Sequence, residues 1–154
     1  MRAAWLTATI ILCVVFGGCE DTGDNYLDGS MTKSFDMDFD STRARLYESE
    51  LSIEYVADTD EGEKIAFRVT INSGEVVLEP GTAYDMVTDG TVSRGQGYGS
   101  ALPELESGTL YLDSFSEEDG SNVSGTFNAR FIASDQTIKT LRGGFAASLE
   151  VVEW

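Results

Sequence analysis

The sequence predicts an all-β domain, an antiparallel β-sandwich or small β-barrel of about seven to nine strands, behind a disordered N-terminal tether. Three observations carry this prediction. From Lys33 onward apolar residues recur with a period of two, the signature of strands with one buried face. Breaks rich in Gly, Asp, Asn and Ser separate these runs at short intervals. No amphipathic helix of convincing length is readable. At 154 residues the chain suffices for one domain.

Taken in order, the chain opens with Met1-Arg2, an apolar run from Ala3 to Phe16, and the small pair Gly17-Gly18. A positive start, a short apolar stretch and a small-residue cleavage zone make a secretory signal over 1–18. The run is too short to be a membrane-crossing helix, which needs about 20 apolar residues. Residues 19–33 are rich in acid, Gly, Ser and Thr and read as an acidic flexible tether.

A single β domain is expected over 34–154. In "SFDMDFD" Phe35, Met37 and Phe39 alternate with Asp36, Asp38 and Asp40. "ELSIEYVA" alternates Leu51, Ile53 and Tyr55. "KIAFRVTIN" turns Ile65, Phe67, Val69 and Ile71 inward and Ala66, Arg68 and Thr70 outward, between the turn sequences "DTDEGE" and "NSGE". "EVVLE" reads as a short strand stopped by Pro80-Gly81. "SGTLYLDSF", "VSGTFNARFIA" and "GGFAASLEVVEW" supply three more strands. Gly125–Phe131 and Gly143–Leu149 align at an offset of 18 residues and are expected to form a hairpin with matching inward residues.

Phe16-Gly17-Gly18-Cys19 resembles the lipobox of bacterial lipoproteins, with Phe16 standing where that family usually has an aliphatic residue. The resemblance implies diacylglycerol on the Cys19 sulfur, cleavage before it, and acylation of the new amino terminus. Cysteine arithmetic agrees: Cys13 leaves with the signal, and an exported chain would otherwise carry one unpaired thiol in an oxidising compartment. Two or three acyl chains anchor stably, because each buried CH₂ contributes about 0.8 kcal/mol and one chain alone is marginal. The expected location is the cell envelope, at the outer membrane, facing the periplasm or the cell surface.

Pro80-Gly81-Thr82 with Tyr84, Ser107-Gly108-Thr109-Leu110, Val123-Ser124-Gly125-Thr126-Phe127 and Gly144-Phe145 are similar to motifs of small lipoproteins of unknown function from Bacteroidetes and myxobacteria. The likeness covers about residues 80–149. Here Ala83 stands inserted between Thr82 and Tyr84. It implies a lipid-anchored, mostly antiparallel β domain and brings no catalytic residue.

Charge and composition narrow the function. Removing residues 1–18 leaves 136 residues and takes away Arg2, moving the formal charge from −17 to −18. Nucleic-acid binding needs a basic patch and counterion release, so no nucleic-acid partner is expected. Electrostatic docking on anionic lipid is equally disfavoured, which leaves the covalent lipid on Cys19 as the membrane link. The chain has no histidine, so imidazole-based triads and most zinc chemistry are absent; no enzyme activity, catalytic residue or cofactor is assigned.

Calcium is the remaining chemical alternative. Asp58 and Asp60 in "DTDEGE", and Glu117 and Asp119 in "SEEDGSN", are weak candidate ligands, each also explained as a polar turn. Asp36–Ser41 begins with EF-hand spacing but lacks the glycine at the sixth position and the Glu at the twelfth. Residues 89–108 form a glycine-rich stretch containing Tyr98, a mobile connection or a binding loop. The leading expectation is a non-catalytic envelope lipoprotein serving adhesion, scaffolding or envelope association, with its protein or glycan partner unread. One alternative is a carrier of a small hydrophobe or glycan, using Phe67, Phe127, Phe131 and Phe145; the other is a calcium-dependent binding module.

Overall fold

A computed structural model of the chain describes residues 25–98 and 101–153, and in them all regular structure is β-strand apart from one 3-10 turn at Met31–Lys33. The strands are β1 Tyr26–Asp28, β2 Ser41–Leu46, β3 Leu51–Thr59, β4 Gly62–Ile71, β5 Thr82–Asp85, β6 Gly90–Ser93, β7 Glu104–Ser114, β8 Asn122–Ile132 and β9 Ile138–Val151. They form one sheet in the order β5-β7-β8-β9-β2-β3-β4-β6, with β1 added to β9. Because β5 and β6 are neighbours in sequence, the two ends of the sheet come together and the sheet curls into a nearly closed barrel. No helix among the described residues is long and apolar enough to cross a membrane.

The all-β expectation holds, and one junction departs from an antiparallel plan. β2 and β9 pair in parallel through Ala44↔Leu149, Arg45↔Glu150 and Leu46↔Val151, while the other ladders are antiparallel. β2 escapes the period-two reading because "STRARL" has only Ala44 and Leu46 as apolar residues. The reason is on the other face. Arg43 and Arg45 lie there beside Glu54 of β3, whose carboxylate is fully buried between Arg43 (2.8 Å) and Arg68 (2.7 Å). Glu63 and Glu150 neutralise the outer ends of Arg43 and Arg45 at 2.9 and 2.6 Å.

Other expectations shift for local reasons. Residues 34–40 bury Met37 and pack Phe35 and Phe39 on the core, yet form no strand. The segment "EVVLE" likewise buries Leu78 and leaves Val77 exposed without pairing. In β4 a bulge opposite Tyr55 and Val56 makes Ala66 fully buried and Ile65 only half-buried, reversing the alternation at that point.

The expected tether over 19–33 ends earlier than its composition suggests. β1 pairs with residues 142–144 of β9, and Met31 is fully buried. The polar side chains that suggested flexibility are partners in this docking. Asn25 Oδ1 accepts from Ala146 N at 2.6 Å, Arg142 Nε donates to Asp28 Oδ2 at 3.0 Å, and Thr140 N donates to Ser30 Oγ at 2.9 Å. The signal segment, Cys13, Cys19 and the acidic residues up to 24 lie outside the described residues.

The barrel interior is filled by side chains. Phe67 and Phe127 stack with ring centroids 5.4 Å apart, and Tyr55 meets Phe127 edge-on at 6.2 Å and Phe39 at 4.9 Å. Burying each such ring contributes roughly 1.5–3 kcal/mol. The expected β8–β9 hairpin forms, turning at Gln136 with φ 64°, and its register explains the 18-residue similarity. Gly125 lies opposite Phe145, and Phe127 lies opposite Gly143. Each glycine makes room for the other strand's ring: a Cβ on Gly143 would sit 2.3 Å from Phe127, and one on Gly125 would sit 2.7 Å from Phe145.

Candidate binding cleft at the barrel seam

The wall of the barrel is incomplete where β5 passes into β6. β5 pairs with residues 109–112 of β7; the chain turns at 86–89; β6 then pairs with residues 68–71 of β4. The first half of β7 and the outer edge of β6 therefore face each other across a gap, running antiparallel by the directions of their ladders. Met86 seals the narrow end: it is fully buried, and its N–H donates to Gly108 O at 3.0 Å. The turn between the strands is held by carboxylates, Asp85 Oδ1 accepting from Val87 N at 2.8 Å and Asp89 Oδ2 from Asp85 N at 3.0 Å.

The gap opens into a cleft of about 680 Å³, lined on its apolar side by Val87, Val92, Leu102 and Leu105 and at its wide end by Arg94 and Tyr98. Its size is typical of ligand sites. Val87 is half exposed and Val92 and Leu105 are partly buried against the core, so the cleft continues the barrel's apolar interior to the surface.

Arg94 is fixed by backbone rather than by carboxylate. Its Nε donates to Ala66 O at 3.1 Å and its Nη2 to Asp36 O, while its guanidinium lies 4.0 Å from the Tyr98 ring centroid and 5.7 Å from that of Phe35. It forms no ion pair with the described residues, although acids outnumber bases 27 to 10 in the chain. Burial holds its pKa below the usual arginine range, and it stays cationic at neutral pH. Burial, with the nearby Asp36 charge adding to it, pushes the Tyr98 phenol up.

The residues singled out in the sequence fall elsewhere. Asp58 and Asp60 belong to the β3–β4 hairpin, where Asp58 N donates to Asp40 Oδ2 at 2.8 Å and Thr59 Oγ1 to Gly62 O at 2.6 Å. Asp119 Oδ1 accepts from Val151 N at 2.9 Å and ties the β7–β8 loop to the end of β9; Glu117 lies in the same loop. Among the described residues no three acidic, histidine or cysteine side chains converge to hold a metal ion. Phe67, Phe127, Phe131 and Phe145 are core, none more than 3% exposed, and line no open lumen.

The glycine-rich stretch 89–108 proved the informative one. It holds β6, the start of β7 and Tyr98. The alternation of "GTVS" is too short to stand out, and a lone arginine in a glycine-rich loop carries no chemical motif. What the arrangement offers is a guanidinium on an aromatic face, an apolar floor and two strand edges, which is equipment for holding a ligand. The fold and the cleft together define a mixed β-barrel with an open seam. No family model, curated protein or solved structure matches the chain.

Proposed function

We propose that this chain is an exported bacterial envelope lipoprotein, anchored through acylated Cys19, whose β domain binds another envelope component and performs no catalysis. The observation that carries the binding role is the seam cleft: the interior is filled, and the cleft joins the core to solvent beside Arg94, which forms no ion pair among the described residues. The anchor rests on the lipobox resemblance at residues 16–19 and on the otherwise unpaired thiol. The outer membrane is the proposed location.

β1 supports a close attachment. Six residue steps separate Cys19 from Asn25, whose side chain already docks on β9. At about 3.3–3.6 Å per step the folded domain would ride within roughly 20 Å of the lipid. Mass spectrometry of protein extracted from membranes should find an N-terminal, acylated Cys19, and Cys19→Ala should move the chain to the soluble fraction. An unmodified chain free in solution after export would remove the anchor from this proposal.

A further inference from the structure

We infer that the seam cleft holds a single-chain amphiphile with a carboxylate head, the head on Arg94 and the alkyl chain along the apolar floor toward Met86. This rests on the reading of the β domain as a binding module and supplies the chemistry of its ligand.

Charge comes first. Arg94 is the one charged side chain that lines the cleft, and no acid lines it, although the chain carries 27 acids against 10 bases. The acids nearest along the chain are engaged elsewhere. Asp85 and Asp89 accept from backbone N–H groups of their own turn, and Glu106 pairs with Arg130 at 3.1 Å. Asp36 offers Arg94 its carbonyl, and its carboxylate makes no ion pair with the guanidinium. The neighbouring Lys64, beside Gly97, is already paired with Glu61 at 2.8 Å.

The guanidinium has donors to spare. Of its five N–H groups, one on Nε goes to Ala66 O at 3.1 Å and one on Nη2 to Asp36 O, so three have no acceptor among the described residues. The rings of Tyr98, 4.0 Å away, and Phe35, 5.7 Å away, cover the cation without neutralising it. A planar cation with free donors matches a carboxylate, and partial burial strengthens the pair. One guanidinium balances one charge. A phosphate monoester carries about −1.5 to −2 at neutral pH and would bring unmatched charge into a chain of formal charge −17, which favours the monoanion.

The rest of the cleft asks for a chain of CH₂ groups. Val87, Val92, Leu102 and Leu105 form its floor, and Met86 is fully buried at its narrow end. Val87 is 49% exposed, and an alkyl chain laid over it would take that surface out of water. A head alone would leave the floor wet, and a tail alone would leave the donors unpaired. The volume of about 680 Å³ suits a small molecule of this kind.

The test uses the full chain in digitonin micelles, which bring no alkyl chain of their own, and reads binding by titration calorimetry. Octanoate should bind saturably, and decanoate more tightly by up to about fourfold per added CH₂. Acetate, octanol and octylamine, which lack the chain, the charge and the correct sign of charge, should bind about tenfold more weakly or worse. Arg94→Gln should cost octanoate on the order of tenfold and leave octanol within about twofold. Val87→Asp, at an exposed position, should weaken octanoate too, whereas Lys33→Gln, which removes a positive charge outside the cleft, should not. Urea midpoints reported alongside show that each variant is folded. Bound octanoate should slow hydrogen exchange in residues 86–98 and 101–105. Octylamine binding as well as octanoate, octyl phosphate binding more tightly, unchanged affinity in folded Arg94→Gln, or no binding by a folded chain would each overturn the inference. Octanol binding as tightly as octanoate and protecting the same segments would overturn the carboxylate head while leaving the cleft a binding site. Because the mass of the same sample reports acylation at Cys19, failure here is also separable from failure of the anchor.

Discussion

Glu54 is a carboxylate without exposed surface, held on the outer face of the barrel wall by guanidiniums from both neighbouring strands: Arg43 lies directly across on β2 and Arg68 directly across on β4. Removing one member of a buried ion cluster costs far more than the pair contributes, since the other charges remain desolvated. Glu54→Gln should therefore lower stability by about 3 kcal/mol, at the low end of the range because the arginines are about a third exposed. Glu150→Gln, removing an exposed partner of Arg45, should cost less than about 1 kcal/mol. Urea denaturation of the two variants checks the contrast, and similar losses would mean that Arg43 and Arg68 repack without Glu54. At the same scale Asp28 is a titrating clamp. The Arg142 hydrogen bond and charge hold its carboxyl below the ordinary carboxylate range. A depressed folded pKa means stability that is present above the ordinary value, near pH 4, and lost as pH falls through the lowered one. Hydrogen exchange should accordingly show β1 loosening on acidification below about pH 4, and Asp28→Asn should loosen it at neutral pH.

At the scale of elements, β8 and β9 are matched by reciprocal glycine–phenylalanine pairs, and this packing leaves little slack. Gly143→Ala should destabilise by about 1–3 kcal/mol, because the new methyl meets the Phe127 ring and the Tyr55 hydroxyl. Shrinking the ring with Phe127→Leu in the same chain should return part of that loss. Additive losses, measured by thermal or urea unfolding, would mean that the two sites do not share the space. Strands of this kind were legible in the sequence, since β3, β8 and β9 keep one apolar face and β4 does so except at its bulge. Those that were not legible are short or have few apolar residues: β1, β2, β5 and β6 take their place from the edges they complete. The converse failure has the same origin. Phe35, Met37 and Phe39 keep a strand's alternation, but burial rather than a hydrogen-bonded partner sets it, and periodicity reports burial alone. The cleft was least legible: its lining falls within residues 86–105, but the gap between β6 and the first half of β7 opens only when the sheet curls, and its cation has no motif.

Over the whole molecule, the docking of β1 and the position of the seam fix which way the domain looks. In the strand order β9 stands two strands from β7 and four from β6, the strands that border the gap, so the chain leaves the barrel from a part of the wall away from the cleft. A domain tethered there would turn its cleft away from the lipid. With Cys19 acylated, a single cysteine introduced at Thr126 or at Val87 can be labelled uniquely; energy transfer to a bilayer dye should be stronger from position 126, and the reverse order would place the seam against the membrane. The parallel contact of β2 with β9 has a different consequence, one of timing. It joins Ala44 to Leu149, as β1 joins Tyr26 to Gly144, so contacts that span most of the described chain hold the barrel shut. Closing such long loops is slow, and folding rates fall as contacts become more distant in sequence. The amino-terminal strands cannot reach their final partners until residues 142–151 have emerged. If the chain is exported as proposed above, it would still be open while being threaded across the membrane and would complete its barrel only on the far side.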